Sequence, residues 1–218
     1  MPENKPWERS SPQYARRAST RPRRRVLILC EDEKSACFYL KAFPINPLRV
    51  DVCTNGTGRN TDSLVDLAIE RKREAERAHQ PFNEIYCVFD RDDFPAQNFN
   101  RAFQLAENHG IRAIWSNEAF ELWYLLHFDF LNTTTSRSQY QGMLDRRLGK
   151  RYTKNDRTIY ECLVSLQPQA LKFARGLTKH WINTYGRCDP LRCNPSTNVQ
   201  DLVLRLNELA ELDTIEPL

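Results

Sequence analysis

No stretch of about 18 consecutive apolar residues occurs in this 218-residue chain, so no helix is expected to span a membrane. No apolar segment precedes Val26, and the expectation is therefore a chain without a secretory signal. A disulfide framework is missing too. The seven cysteines are odd in number, and Cys30, Cys53 and Cys87 sit in strand-like apolar runs. They read as reduced thiols packed as small hydrophobes, which points to the cytoplasm. His180, Cys188 and Cys193 are the only hint of zinc, but their spacing fits no common ligand pattern and a fourth ligand is lacking. No internal repeat is visible.

What is present is an ordinary globular composition, 40% hydrophobic and 28% charged. The net charge of +4 is unevenly spread: residues 1–25 hold eight Lys/Arg against two acids, so the rest of the chain is slightly acidic. That first segment is rich in Ser, Pro and Arg and poor in large apolar residues. It cannot bury enough surface to offset its ordering entropy, and a disordered basic tail is expected over 1–25. Arg21-Pro22-Arg23-Arg24-Arg25 would attract phosphates, or would serve only for solubility.

From Val26 onward the pattern is α/β. Val26–Cys30 and Glu84–Phe89 are unbroken apolar runs of strand length, the mark of parallel strands covered on both faces. Leu48–Cys53 alternates as a half-covered strand, Thr54–Gly58 reads as a loop, and Ile111–Trp115 makes a fourth strand. Between them, helices are expected over Ser35–Phe43, from a Thr61 cap to about His79, and over Gln97–Asn108 with Gly110 as the terminating glycine. The order βαβαβαβ predicts a parallel sheet with covering helices over residues 26–118. Residues 119–218 read as a helical part. Its pieces are a short apolar helix at Phe120–Phe128, helices near 137–149, 156–165 and 168–182, and a last amphipathic helix capped by Ser196 or Thr197. No further strand is expected.

Acidic clusters follow three of the strands: Glu31-Asp32-Glu33, Asp90-Arg91-Asp92-Asp93, and Glu118 with Glu121. In parallel α/β sheets, functional groups gather beyond the carboxyl ends of the strands. Converging carboxylates repel one another, and a hard cation such as Mg²⁺ or Mn²⁺ relieves the repulsion while taking oxygen ligands. In the D-x-D spacing, Asp90 and Asp92 project to one side and Arg91 turns away. Each acid also has a plainer role as a helix cap or solvated turn residue, Asp93, Glu118 and Glu121 especially.

Ile28-Leu-Cys-Glu31-Asp-Glu-Lys34 resembles the opening strand and turn of Toprim domains, and Val88-Phe-Asp90-Arg-Asp92-Asp93 resembles their D-x-D strand end. With Phe120–Phe128 and Asn194-Pro-Ser-Thr197, four motifs in the right order resemble the RloB family over about residues 26–210. The resemblance implies a Toprim-like core with Glu31 as ligand or general base and Asp90 and Asp92 as Mg²⁺ ligands. It implies a metal-dependent endonuclease of bacterial anti-phage defence or abortive infection, cutting RNA such as tRNA, or DNA, beside an ATPase partner. Asp32 stands where the family often has glycine, and Phe94 where some members have histidine.

On this reading Glu118 or Glu121 would serve a second ion in a two-metal clamp. Lys154, Arg157 and Lys179 would supply positive charge for nucleic acid, or are ordinary surface cations. His127 is either an acid–base group or a buried, hydrogen-bonded histidine. Trp115, Trp123 and Trp181 are core rather than stacking platforms, and Asn194–Thr197 is a helix entry or a substrate contact. The competing expectation is a non-catalytic accessory subunit that docks on an ATPase. Homo-oligomerisation stays open. Strand passage and primer synthesis need modules for which the chain has little room.

Overall fold

A computed structural model describes residues 24–47, 50–57, 61–91 and 95–211. Strands β1 (Arg24–Cys30), β2 (Val50–Gly56), β3 (Glu84–Asp90) and β4 (Arg112–Asn117) alternate with helices α1 (Ser35–Lys41), α2 (Thr61–Arg77) and α3 (Ala96–Asn108). The chain continues through α4 (Glu121–Leu125), α5 (Arg137–Leu148), α6 (Ile159–Leu163), α7 (Gln167–Tyr185), the two-residue strand β5 (Ser196–Thr197) and α8 (Val199–Glu211). The sheet order is β2-β1-β3-β4-β5, with the first four strands parallel and β5 antiparallel to β4. This is a Toprim-like α/β core with a helical C-terminal part.

The unbroken apolar runs have a direct cause. Val26, Ile28 and Cys30 of β1 join Tyr86 and Val88 of β3 in a core with α1 and the later helices. Leu27 and Leu29 face the other way, joining Ile85, Cys87 and Phe89 in a core with α2 and α3. Side chains alternate across the sheet, and since both faces are covered both sets are apolar. Leu122, Trp123, Tyr140, Leu163, Ala174, Val203 and Leu206 belong to the first of these cores, so the helical part packs directly onto the sheet.

Several expectations need correcting. Arg24 and Arg25, assigned above to a disordered tail, begin β1; the remainder of that tail lies outside the described residues. β2 runs on through Thr54, Asn55 and Gly56, which had read as loop. The helix expected over Phe120–Phe128 shrinks to Glu121–Leu125. Thr61 is the first helical residue rather than a cap, and its hydroxyl reaches Glu31 at 3.4 Å. Ser196 and Thr197 form a strand, where only helices were expected. Thr197 still contributes to the entry of α8, its Oγ1 accepting the Val199 N–H at 3.2 Å.

Strand order decides where a site can form. The chain leaves β1 toward β2 on one side and returns to β3 on the other, so the strand order reverses between β1 and β3. A crevice opens beyond the carboxyl ends at such a point. Glu31 immediately follows β1 and Asp90 ends β3. Gly56 at the end of β2 keeps the Glu31–Glu33 turn in place: a Cβ there would lie 2.3 Å from the Glu33 Cα, so only glycine permits this backbone approach.

Candidate functional site

The turn after β1 is fixed by its own side chains. Asp32 accepts the N–H groups of Lys34 and Ser35, each at 2.9 Å, and the Ser35 hydroxyl. Burial alone would raise the Asp32 carboxyl; these bonds and the nearby Lys154 charge outweigh it and hold the group below the ordinary carboxylate range. Asp32 is therefore the N-terminal anchor of α1. Glu31 donates its backbone N–H to Val88 O at 2.9 Å, which ties the turn to β3.

Asp90 stands beside it. Its Oδ1 accepts the Phe120 N–H at 2.9 Å, and its Oδ2 lies 3.6 Å from Arg137 Nη2. The Arg91 guanidinium sits 5.4 Å from the centre of the Phe99 ring. Glu118 accepts the Arg137 backbone N–H on Oε2 at 2.7 Å and the Asn194 side-chain amide on Oε1 at 3.1 Å. Asn117 in turn holds the C-terminal segment, donating to Pro190 O at 2.9 Å and Cys193 O at 3.0 Å.

Glu31, Asp90, Asn117, Glu118, Arg137 and Asn194 thus line one cleft of roughly 900 Å³ at the carboxyl edge of the sheet. Among the described residues no three His, Cys, Asp or Glu side chains stand close enough to hold a metal together. Asp92 and Asp93 lie outside the described residues. Glu31, Asp90 and Glu118 offer oxygen donors, which suit Mg²⁺ or Mn²⁺, and such an ion can be bound through one or two carboxylates because it keeps several waters.

Of the remaining predicted residues, Glu121 faces a neighbouring pocket instead. Its Oε1 accepts from Ser35 at 3.1 Å and Tyr152 at 3.0 Å and lies 3.6 Å from Lys154 Nζ. Lys154 lines that same pocket. Arg157 lies over the Phe38 ring, 5.0 Å from its centre, and Lys179 is an exposed residue of α7. Neither reaches the cleft lining. Arg137 and Asn117 were not anticipated, because each acquires its role through partners distant along the chain.

The family model for RloB-like proteins matches residues 26–206. The chain belongs to the RloB-like family. The four motifs that suggested it fall within that span, and in this RloB-like chain they sit at β1, at the end of β3, at α4 and at β5. No curated protein and no solved structure matches the chain. Among the described residues no helix is long and apolar enough to cross a membrane.

His127 is fully buried. Its Nδ1–H donates to Trp123 O at 2.9 Å, and its Nε2 faces the Tyr39 hydroxyl at 3.5 Å. Burial pushes its pKa down to about 4. An unfolded histidine titrates near 6.5, so the folded state binds fewer protons between those values. The contribution is intact above pH ~6.5 and is lost as pH falls toward about 4. In an NMR titration the His127 ring protons should stay at their neutral shifts until the pH nears 4. A midpoint near 6.5 would mean an accessible acid–base group instead. Trp115, Trp123 and Trp181 are all buried, as core residues should be.

Proposed function

We propose that this protein is a metal-dependent nuclease that hydrolyses phosphodiester bonds in nucleic acid, acting in anti-phage defence beside an ATPase partner. The observation that carries the reading is that Glu31, Asp90 and Glu118 line one cleft where the strand order reverses. Family membership supports the same direction. Glu31, Asp90 and, from outside the described residues, Asp92 would hold Mg²⁺ or Mn²⁺, which when bound would polarise the phosphate and neutralise developing charge. Glu31 would help hold that ion or take the proton of an attacking water. Arg137 orients Asp90 and presents a guanidinium to a phosphate entering the cleft. Asn194 and the Arg137 backbone N–H fix Glu118 on the cleft wall.

A second reading has an observation of its own. Asp90 and Glu118 already accept hydrogen bonds from the protein, as acids with a purely structural role would. The chain would then be an accessory subunit docking on the ATPase. The deciding experiment offers the full chain tRNA, single-stranded RNA, plasmid and single-stranded DNA with Mg²⁺, with Mn²⁺ and with EDTA, and titrates each metal calorimetrically. Cutting that requires metal supports the nuclease and names its substrate. No metal binding and no cutting would hand the case to the accessory subunit.

A further inference from the structure

The pocket beside the cleft, about 640 Å³, shares Glu118 and Arg137 with it. Its walls come from α4, the start of α5 and residues 151–154. Three cations line it: Arg137, Arg151 and Lys154. Arg151 is exposed and has no acidic partner among the described residues. Two lining groups are buried with unmet hydrogen-bonding capacity. Glu121 is only 4% exposed, and while its Oε1 is fully engaged its Oε2 meets no donor. Tyr140 is 1% exposed; the Glu118 backbone lies against its hydroxyl oxygen, but the O–H proton meets no acceptor among the described residues.

Buried polar atoms are normally satisfied, and two orphans in the lining of one pocket point to a ligand that supplies their partners. Glu121 Oε2 requires an N–H or O–H donor. The Tyr140 hydroxyl can donate to a ring nitrogen or carbonyl. The cations call for an anion on the same ligand. A nucleotide has all three features: base N–H, base acceptor and phosphate. Arg137 reaches both the pocket and Asp90, so a phosphate held there lies next to the cleft acids.

We infer that this pocket receives one unstacked nucleotide flanking the phosphate to be cut, with its base toward Glu121 and Tyr140 and its phosphate toward Arg151 and Arg137. A base reaches such a pocket only outside the duplex stack, so the substrate class is single-stranded or looped nucleic acid. The inference rests on the nuclease reading of the adjoining cleft, but its test does not require cleavage. AMP, CMP, GMP, UMP and ribose 5-phosphate are titrated calorimetrically into the full chain in EDTA. At least one nucleotide should bind about tenfold more tightly than ribose 5-phosphate, since the base adds hydrogen bonds that the sugar phosphate lacks. Arg151→Ala, on an exposed side chain, should weaken that nucleotide at least several-fold, while Glu121→Gln should narrow its advantage over ribose 5-phosphate. Nucleotides binding no better than ribose 5-phosphate, or indifference to Arg151→Ala, would overturn the inference even if the chain cuts nucleic acid. Base-dependent binding by a chain that cuts nothing would uphold the pocket and refute only the cleft's chemistry.

Discussion

Asp90→Asn should lower metal-dependent cleavage by about a thousandfold while the protein stays folded. Asparagine keeps an Oδ1 to accept the Phe120 N–H, so the entry to α4 is preserved. What goes is the negative charge facing Arg137 and the hard anionic ligand offered to a cation. Loss of several kcal/mol of electrostatic stabilisation in the transition state corresponds to about three powers of ten in rate. The cost to folding should be small, within about 1 kcal/mol, because the Asp90–Arg137 pair is partly solvated, with Arg137 40% exposed. Single-turnover cleavage and urea denaturation measure the two quantities separately. Residual cutting within tenfold of wild type would remove Asp90 from the chemistry.

The opposite edge of the sheet should show the reverse pattern. Glu84 opens β3 with its side chain only 7% exposed. It accepts from Arg24, from Arg205 through Nε and Nη2, and from the Tyr86 hydroxyl at 2.8 Å, with Arg112 at 3.6 Å. β1, β3, β4 and α8 are thereby joined through one carboxylate. Burial would raise its pKa, but the Arg205 and Tyr86 hydrogen bonds and the arginine charges bring it down to about 2. Removing the acid leaves cations facing one another beside a core, which costs about 3 kcal/mol or somewhat more. Glu84→Ala should therefore shift the urea midpoint strongly while folded protein cuts normally. The acid's contribution is present above the unfolded value near 4.3 and fades as pH falls from there toward about 2. An unchanged urea midpoint would show the network to be too solvated to matter.

The strands that carry Glu31 and Asp90 were legible because burial on both sheet faces writes itself as unbroken apolar sequence. The acids were legible because they stand where those runs stop. β5 was not, since Ser196 and Thr197 have no apolar pattern and gain strand geometry only by pairing with Asn117 and Ser116. Glu118 and Glu121 looked equivalent as ligands three residues apart. The turn into α4 sends Glu118 toward Arg137 and Asn194, and Glu121 toward Ser35 and Tyr152. Arg137 sits 47 positions after its carboxylate partner Asp90, and Asn194 lies 76 from Glu118, separations at which no local pattern survives. The part played by Asp32 was not legible: its carboxylate anchors the turn by accepting the Lys34 and Ser35 N–H groups.

The attachment of the late segment has a bearing on how the protein is made. One wall of the cleft hangs on Asn194 and on β5, which reaches the sheet only by pairing with a strand laid down some 80 residues earlier. During synthesis the acids at Glu31, Asp90 and Glu118 all leave the ribosome long before the segment that closes the wall beside them. A nascent chain therefore carries the cleft open on that side until residues 194–197 have followed and paired with β4.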